Sequence, residues 1–319
     1  SQLADQLCDG YIKLMQKPQF ARFFGLRDLF CFLRYLSKHM DRKASNLSAP
    51  VLLRALERNF SGVSQEQFSE LSKTFFEAAH IDGMSNLPLR NPVDVLYDSL
   101  KNAEPVGNLV AVSRFKLVID ASADESMARI LLSQDVIEEK KTLVVYGSTF
   151  PGDQSEAYLS DLVSRITLAM ETGQTILMMH TAKIPPALSD LLNGRLTAVV
   201  ARDGRTQWYA NIVLGACSSK IHVHPRFQAI VHLSQSALRT TPTAFLKCFE
   251  KYLISPADVL ERVCLSPMLP SAVSNSLQPI LKRCEQFVET IGANNIYGLN
   301  KDTVTSAVLS LLKPEHIGL

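Results

Sequence analysis

Apolar residues recur along this 319-residue chain at two different spacings. Near both ends they return every three or four positions, which is typical of helices with one buried face. Between the ends, short apolar runs of strand length alternate with helical stretches. The pattern predicts a helical region over residues 1–103, an alternating region over 104–255 and a second helical region over 256–319.

The first region is predicted to form a small helical bundle. The run "SAPVLLRALERNFSG" has Ser48 as a candidate cap, Pro50 in the first turn and Gly62 at its end. The run "SQEQFSELSKTFFEAA" follows, with Ser64 and Gln67 as a capping box. The run "NPVDVLYDSLKN" predicts another helix. An earlier run, "ARFFGLRDLFCFLRYLSKHM", has apolar residues at helical spacing: Leu26, Leu29, Phe30, Leu33 and Leu36.

The alternating region indicates the α/β class. Strands are predicted at "RFKLVIDAS", "KTLVVYGS", "QTILMMHT" and "FQAIVHLS", and helices at "DESMARILLSQ", "SEAYLSDLVSRITLAMETG" and "PPALSDLLNGR". Strands that alternate with helices and are apolar on both faces favour a mainly parallel sheet covered by helices. The last region predicts helices at "SPADVLERVCLS", "SNSLQPILKRCEQFVETIG" and "DTVTSAVLSLL".

Two stretches complete this prediction. Residues 224–253 read as a strand, a polar turn and a helix, in which Phe245, Leu246, Phe249, Tyr252 and Leu253 have helical spacing. The stretch "TAVVARDGRTQWYANIVLG" predicts a hairpin or edge insertion with Asp203-Gly204 at its turn. The domain boundary is predicted near 103–112, where Pro105 and Gly107 interrupt the pattern.

Composition narrows the possible functions. The chain is 46% hydrophobic and 20% charged with a net charge of +2, which gives no electrostatic case for nucleic acid or an anionic membrane. No apolar run approaches the roughly 18 residues of a membrane span. The six cysteines form no C-x-x-C pair and no zinc spacing, so we interpret them as apolar fillers in a reducing compartment. The first residue is Ser1 rather than Met, as expected for a segment cut from a longer chain.

A parallel sheet raises the question of nucleotide binding, and the residues argue against catalysis. A phosphate loop needs glycines and a Lys after a strand. The loop after the first predicted strand, residues 121–125, has neither, and it carries Asp124 and Glu125. An ATPase also needs acids at the end of an apolar strand, where this chain has His180 and Thr181. We interpret His180 as a hydrogen-bonded residue without a partner carboxylate.

Two long runs resemble a known family. "VVYGSTFPGDQSEAYLSDLVSRITLAMETGQTILMM" and "VHPRFQAIVHLSQSALRTTPTAFLKCFEKYLI" are similar to mysterin-type giant AAA+ RING-type E3 ubiquitin ligases. The run "FFGLRDLFCFLRYL" is similar to a helical lid of an active AAA+ unit in that family. The resemblance covers most of the chain and is strongest over 143–254.

The resemblance implies an architecture. Residues 1–103 would be mostly the lid of a preceding AAA+ unit. Residues 104–255 would be a degenerate, P-loop-type α/β subdomain, and 256–319 its helical small subdomain. The parent would be a dynein-like ring that couples ATP-driven motion to ubiquitin transfer in the cytosol and on lipid droplets. Its partners would be neighbouring AAA+ units of the same chain and the ubiquitin machinery. ATP with Mg²⁺ would bind in neighbouring units and zinc in the RING, with no cofactor in this segment.

The same resemblance nominates residues that would face nucleotide. In active units the strand matching "FQAIVHLS" ends in a γ-phosphate sensor, so Ser234 or Gln235 would lie there. The following helix carries an Arg that reaches the neighbouring nucleotide, but here Cys248 stands in that position. The adjacent Lys247 would partly substitute for the Arg, or else lie in solvent. A thiol cannot offer a guanidinium fork to a phosphate. Arg27 opens the lid helix and would fold over the nucleotide of its own unit.

Weaker constellations leave the alternatives open. His222 and His224 could contribute to a metal site only with a third ligand. Trp208 and Tyr209 indicate edge packing rather than base stacking. Three hypotheses remain: a non-catalytic structural and allosteric segment of a mysterin-like ligase, a nucleotide-binding but non-hydrolysing adaptor, and an α/β enzyme of another class. The adaptor would use residues 121–125, 180–181 and 234–235.

Overall fold

The architecture was determined from a computed structural model of the chain. It describes residues 2–40, 47–105, 114–148, 150, 155–181, 186–201, 204–214, 217–267, 269–292 and 295–312. Gly107 in the predicted boundary and Asp203 in the predicted hairpin turn lie outside the described residues.

Helices fill the first region, as predicted. They are α1 (Gln2–Met15), α2 (Pro18–Phe23), α3 (Leu26–His39), α4 (Ala49–Asn59), α5 (Gln65–Ala78) and α6 (Pro92–Lys101). The ring centroids of Phe24, Phe32 and Phe75 each lie within 5.5 Å of that of Phe60, edge-to-face for the first two rings and tilted for the third. These rings form an aromatic core between α2, α3, α4 and α5.

Two serines are predicted as helix caps, and the structure shows a capping hydrogen bond for one of them. Ser64 and Gln67 form the predicted capping box at the start of α5. Ser48 stands at the predicted cap position of α4, but its side chain makes no capping hydrogen bond. The run predicted as helical from residue 21 is interrupted at Gly25, whose N–H donates to Asp28 Oδ2 at 2.7 Å.

The predicted parallel sheet is confirmed. Its strands are β1 (Lys116–Asp120), β2 (Thr142–Tyr146), β3 (Thr175–Met179), β7 (Gln228–Ser234) and β8 (Glu250–Ile254). Their order is β2-β3-β7-β1-β8, and each neighbouring pair is parallel. Leu117 and Ile119 belong to one hydrophobic cluster and Val118 to another, so each face of the sheet is covered.

Between and after these strands lie the remaining helices. They are α7 (Met127–Ser133), α8 (Glu156–Thr172), α9 (Ser189–Leu192), α10 (Thr243–Leu246), α11 (Pro256–Cys264), α12 (Ser271–Ile291) and α13 (Thr303–Leu311). Helix α8 ends at Gly173, which has the left-handed φ of 76° that favours glycine. The predicted C-terminal helices are thus confirmed.

The prediction of a helix through residue 253 is wrong. Helix α10 stops at Leu246, and β8 pairs with β1 in register from Glu250 to Ile254. The apolar residues from Phe245 to Leu253 have helical spacing, but β8 is buried along nearly its whole length, and such a strand shows no alternation of apolar and polar residues by which to recognise it. Pairing along β1 decided the outcome, because the residues gain a ladder of hydrogen bonds and a buried position.

The predicted hairpin is confirmed and extends to a third strand. Strands β4 (Thr197–Val200), β5 (Thr206–Leu214) and β6 (Cys217–His222) form an antiparallel sheet in that order. The third strand was missed because its residues are mostly polar or small.

The helical bundle covers the β8 edge of the main sheet. Ser61 Oγ donates to the carbonyl of Lys251 at 2.5 Å. A Cβ atom on Gly62 would lie 2.6 Å from Lys251 Cβ, and the φ of Gly62 is 83°. An edge strand with unpaired backbone groups invites association, and here the loop after α4 shields it. The bundle and the sheet are consequently packed together.

Candidate functional site

The loop between β1 and α7 occupies the place where a phosphate loop would lie. Asp120 ends β1 and is 1% exposed. Its Oδ1 accepts from the N–H of Ser122 at 2.7 Å, and its Oδ2 accepts from the N–H of Met127 at 3.0 Å. His232 Nε2 lies 2.7 Å from the same Oδ2. A protein carboxylate is therefore held by loop amides of the kind that bind phosphate elsewhere.

Other amides of this loop are also taken. The N–H of Ser126 donates to Ser122 Oγ at 3.0 Å and to Asp124 Oδ1 at 3.2 Å. The N–H of Ala123 donates to Asp302 Oδ2 at 2.8 Å, and that of Ala121 to a carbonyl of β8 at 2.9 Å. A phosphate could bind these amides only by displacing these oxygens.

Electrostatics favours the ionised form of the carboxylate. Burial by itself raises the pKa of Asp120, but the hydrogen bonds from His232, Ser122 and Met127 outweigh burial and lower it. An anion is thus already present beside the amides of this loop, and it would repel a phosphate brought to them.

The end of β3 approaches the same loop. His180 Nε2 lies 3.6 Å from Glu125 Oε2, and both residues have a positive φ, 53° and 57°. The expectation that His180 has no carboxylate neighbour is therefore wrong. The neighbour could not be seen in the local sequence, because Glu125 belongs to a different loop. A Cβ atom on Gly147 would lie 2.0 Å from the carbonyl oxygen of His180, so only glycine permits this approach. Within the described residues, no three His, Cys, Asp or Glu side chains are grouped to hold a metal.

The four residues that the resemblance nominates as nucleotide-facing lie at opposite ends of the strands of the sheet. Ser234 pairs with Asp120 at the carboxyl ends of the strands, and its hydroxyl lies 3.0 Å from that of Ser236. Gln235 follows it and is exposed. Lys247 instead lies shortly before β8, which begins at Glu250, and is therefore at the amino ends of the strands. Its side chain lies against Gly25.

Arg27 joins Lys247 at the amino edge. Its guanidinium donates to Asn193 Oδ1 at 3.3 Å, and the thiol of Cys248 lies 3.3 Å from the same oxygen. Burial raises the pKa of Cys248, although Arg27 opposes the shift. The structure therefore brings Arg27 to the residue that stands in place of the expected Arg.

A buried charge network was missed by the sequence analysis. Asp28 Oδ1 accepts from Arg114 at 2.8 Å and from Lys251 at 2.9 Å. Glu250 lies 3.0 Å from Lys116 and 3.4 Å from Arg58. The local signals are the charged residues in otherwise apolar strands: two in β8, "EKYLI", and Lys116 at the start of β1, "KLVID".

The network fixes the ionisation of its acids. Burial alone would raise the pKa of Glu250, but Lys116, Arg58 and Arg114 hold it at about 2. Burial alone would also raise the pKa of Asp28, but the positive charges of Lys251 and Arg114 outweigh burial and lower it. Because helices α3 and α4 supply Asp28 and Arg58, these pairs join the helical bundle to the sheet.

The remaining sequence candidates do not converge. The ring of His222 packs edge-on against Tyr209, with 5.6 Å between centroids. His224 accepts at Nδ1 from the N–H of Arg226, and its ring lies against Gly173. The two histidines therefore have separate packing roles.

Comparison with known proteins agrees with this geometry. Residues 110–260 match the family model of the RNF213 AAA domain. The E3 ubiquitin-protein ligase RNF213 of Mus musculus is 26% identical over 254 residues, which cover 79% of this chain and 5% of that protein. The Homo sapiens RNF213 is 26% identical over 261 residues, covering 77% of the chain and 5% of that protein.

A further relative extends the match. A Dictyostelium discoideum protein, described as a putative uncharacterized transmembrane protein, is 26% identical over 307 residues, covering 92% of this chain and 5% of that protein. In the part of this chain that the structure describes, no helix is both long and apolar enough to cross a membrane. The chain spans about a twentieth of the length of these relatives.

A five-stranded parallel sheet with covering helices, a loop after β1 and a C-terminal helical part defines an AAA-like fold. Over residues 110–260 the chain is similar to an AAA domain of the RNF213 type, and these matches together support a segment of an RNF213-like AAA+ protein. RNF213 belongs to the mysterin-type family that the sequence resembles.

Proposed function

We propose that this chain is a structural, non-hydrolysing segment of the AAA+ core of an RNF213-like E3 ubiquitin ligase. Its role would be to hold neighbouring AAA+ units in register and to pass on their ATP-driven movements. No residue of the chain is assigned to ubiquitin transfer in this proposal. The family match and the rigid, charge-paired packing of bundle against sheet support it.

One observation carries the proposal. Five backbone N–H groups of residues 121–127 donate to Asp120, Ser122, Asp124, Asp302 and a β8 carbonyl. A loop with most of its amides already bonded to protein oxygens has little left to offer a triphosphate. The sequence adds that no Lys or Gly is present in residues 121–125 to compensate.

Calorimetric titration with Mg-ATP tests the proposal directly. We expect no saturable heat at millimolar nucleotide and no ATP turnover by the chain. Saturable binding would contradict the scaffold role and favour the nucleotide-binding adaptor. In that event, Gln235→Ala and Arg27→Ala would locate the ligand, because these residues lie at the carboxyl and amino edges of the sheet, respectively.

The adaptor remains the second candidate because the carboxyl edge is not closed. His180 and Gln235 are exposed there, and Ser234 is half-buried. A nucleotide base or ribose could use these polar groups even where the loop rejects phosphate. Such a ligand would raise the thermal midpoint of the chain, by an amount that grows with the logarithm of its concentration divided by its dissociation constant.

We further propose that Arg27 contacts the nucleotide of a preceding AAA+ unit in the parent protein. Its position beside Cys248 supports this, since both residues would then face the junction between two units. Arg27→Ala in the full-length parent is expected to weaken ATP binding or slow turnover. The control is Arg129→Ala, an exposed arginine on α7. Equal ATP affinity and turnover in both variants and the unaltered parent would refute the role of Arg27.

Partners and location follow from the same proposal. The neighbours would be other AAA+ units of the parent chain, with ubiquitin-transfer machinery bound elsewhere on it. Exposed apolar residues on the C-terminal helices, such as Phe287 at 61%, support contact with a further protein surface. The expected location is the cytosol, including lipid-droplet surfaces. ATP with Mg²⁺ and zinc would belong to other parts of the parent.

A further inference from the structure

Asp302 stands at a helix start without capping that helix. It is the N-cap residue of α13, where an Asp side chain ordinarily accepts from an N–H of its own first turn. Here the side chain makes no such bond, and the backbone has helical rather than extended angles, φ −102° and ψ −3°. The carboxylate is thus turned away from α13 toward another partner.

That partner is the loop after β1. Asp302 Oδ2 accepts from the N–H of Ala123 at 2.8 Å, across 179 positions of sequence. The adjacent Lys301 donates through Nζ to the carbonyl of Ala121 at 3.2 Å. Two successive side chains therefore bond an N–H and a C=O of one loop, which aligns the C-terminal part with it.

The far end of α13 is tied to the same region. Gln134, just after α7, donates through Nε2 to the carbonyl of Leu309 at 3.0 Å, and this bond is buried. Val308, Leu309 and Leu312 are buried in the cluster that also holds Leu131 of α7. Apolar packing thus secures the end of α13, whereas its start is secured by polar contacts.

We propose that Asp302 and Lys301 form a latch that holds the C-terminal helices against the loop without any nucleotide. This extends the proposed scaffold function, because a unit that binds no nucleotide needs another bridge between its loop and its helical part. The latch carboxylate supplies to the Ala123 amide the oxygen that a phosphate supplies in a nucleotide-binding unit. The geometry of this segment would then be fixed rather than cycled by ATP.

Hydrogen–deuterium exchange of the whole chain tests the latch. Asp302→Ala is expected to speed exchange about ten-fold or more in peptides covering residues 121–127, because a bond to a charged acceptor is lost. The first turns of α13 should exchange faster as well. Asp302→Asn keeps an acceptor oxygen and should restore part of the protection. The control is Asp161→Ala, an exposed acid on α8.

The outcomes separate the latch from the scaffold function. Unchanged exchange in Asp302→Ala, with an unaltered circular dichroism spectrum, would refute the latch and leave the scaffold function standing. Added protection of residues 121–127 by Mg-ATP in the unaltered chain would refute the scaffold function instead. Loss of protection across the entire Asp302→Ala chain would also refute the latch, since the effect would then be general unfolding. Fast exchange confined to the loop and α13, partly reversed in Asp302→Asn, supports it.

Discussion

Glu250 illustrates how a single residue can depend on the whole fold. Its carboxylate is fully buried, accepts from Ser99 Oγ at 2.5 Å and from Tyr252 OH at 3.0 Å, and lies beside Lys116 and Arg58. A buried carboxylate without such partners would be expensive. Glu250 therefore stabilises the fold only as a member of its network.

We expect Glu250→Gln to lower the free energy of unfolding at pH 7 by about 3 kcal/mol. The folded chain holds the pKa of Glu250 at about 2, below the ordinary 4.5. Its contribution is thus complete above about pH 4.5 and is lost as the pH falls toward 2. The difference between variant and unaltered chain should consequently shrink in acid.

Urea unfolding at pH 7 and at pH 3 measures both parts of this prediction. Glu289→Gln, an exposed change of the same type on α12, should stay within about 0.5 kcal/mol at either pH. A Glu250→Gln deficit that does not diminish at low pH would show that the ionised carboxylate is not the stabilising form.

At the scale of single elements, similar sequence signals lead to different bonds. Ser64 and Ser48 both precede helices, yet only Ser64 accepts from its helix, at 3.3 Å from the N–H of Gln67. Strand β8 shows the same lesson for periodicity. Local spacing predicts a helix for its residues, whereas pairing with β1 makes them a strand.

Capping predicts a measurable contrast between two serines. Ser64→Ala should destabilise the chain by about 1 kcal/mol, because it removes the acceptor for an otherwise free helix amide. Ser48→Ala should change stability by only a few tenths of that amount, since no capping bond is lost. Thermal or urea unfolding of the two variants provides the comparison, and equal losses would contradict it.

At the scale of the whole molecule, buried ion pairs join the bundle to the sheet. Asp28 of α3 pairs with Lys251 of β8, and Arg58 of α4 pairs with Glu250. Separating the two parts would leave these charges without partners and uncover the edge of β8. The resemblance assigns the two parts to different AAA+ units, and this packing makes them mechanically one block.

We expect the intact chain to unfold in a single cooperative transition. In differential scanning calorimetry the van't Hoff and calorimetric enthalpies should agree, because unfolding either part alone would leave the buried charges of the other part unpaired. A chain shortened to residues 104–319 should lack a sharp transition. Two separated transitions in the intact chain would contradict the single block.

Much of the candidate site could be predicted from the sequence, but not its arrangement. The absence of Gly and Lys from residues 121–125 predicts a loop unlike a phosphate loop, and this stays a prediction. That Asp120 and Asp302 take up its amides was not visible, because the two carboxylates come from distant parts of the chain. Family analogy nominates Ser234 and Gln235 for this unit's nucleotide, and Lys247 and Arg27 for nucleotides of other units. The structure places the two pairs at opposite ends of the strands.

The sequence by itself determined the helices of both ends, four of the five parallel strands and the absence of Gly and Lys from residues 121–125. These features follow from periodicity and residue type, which act within a few positions along the chain. Only the tertiary structure decided that residues 250–254 form a strand, which charges pair in the interior, and what occupies the loop after β1. Each of these outcomes depends on partners far apart in sequence, whose proximity is created by packing and not by local preference.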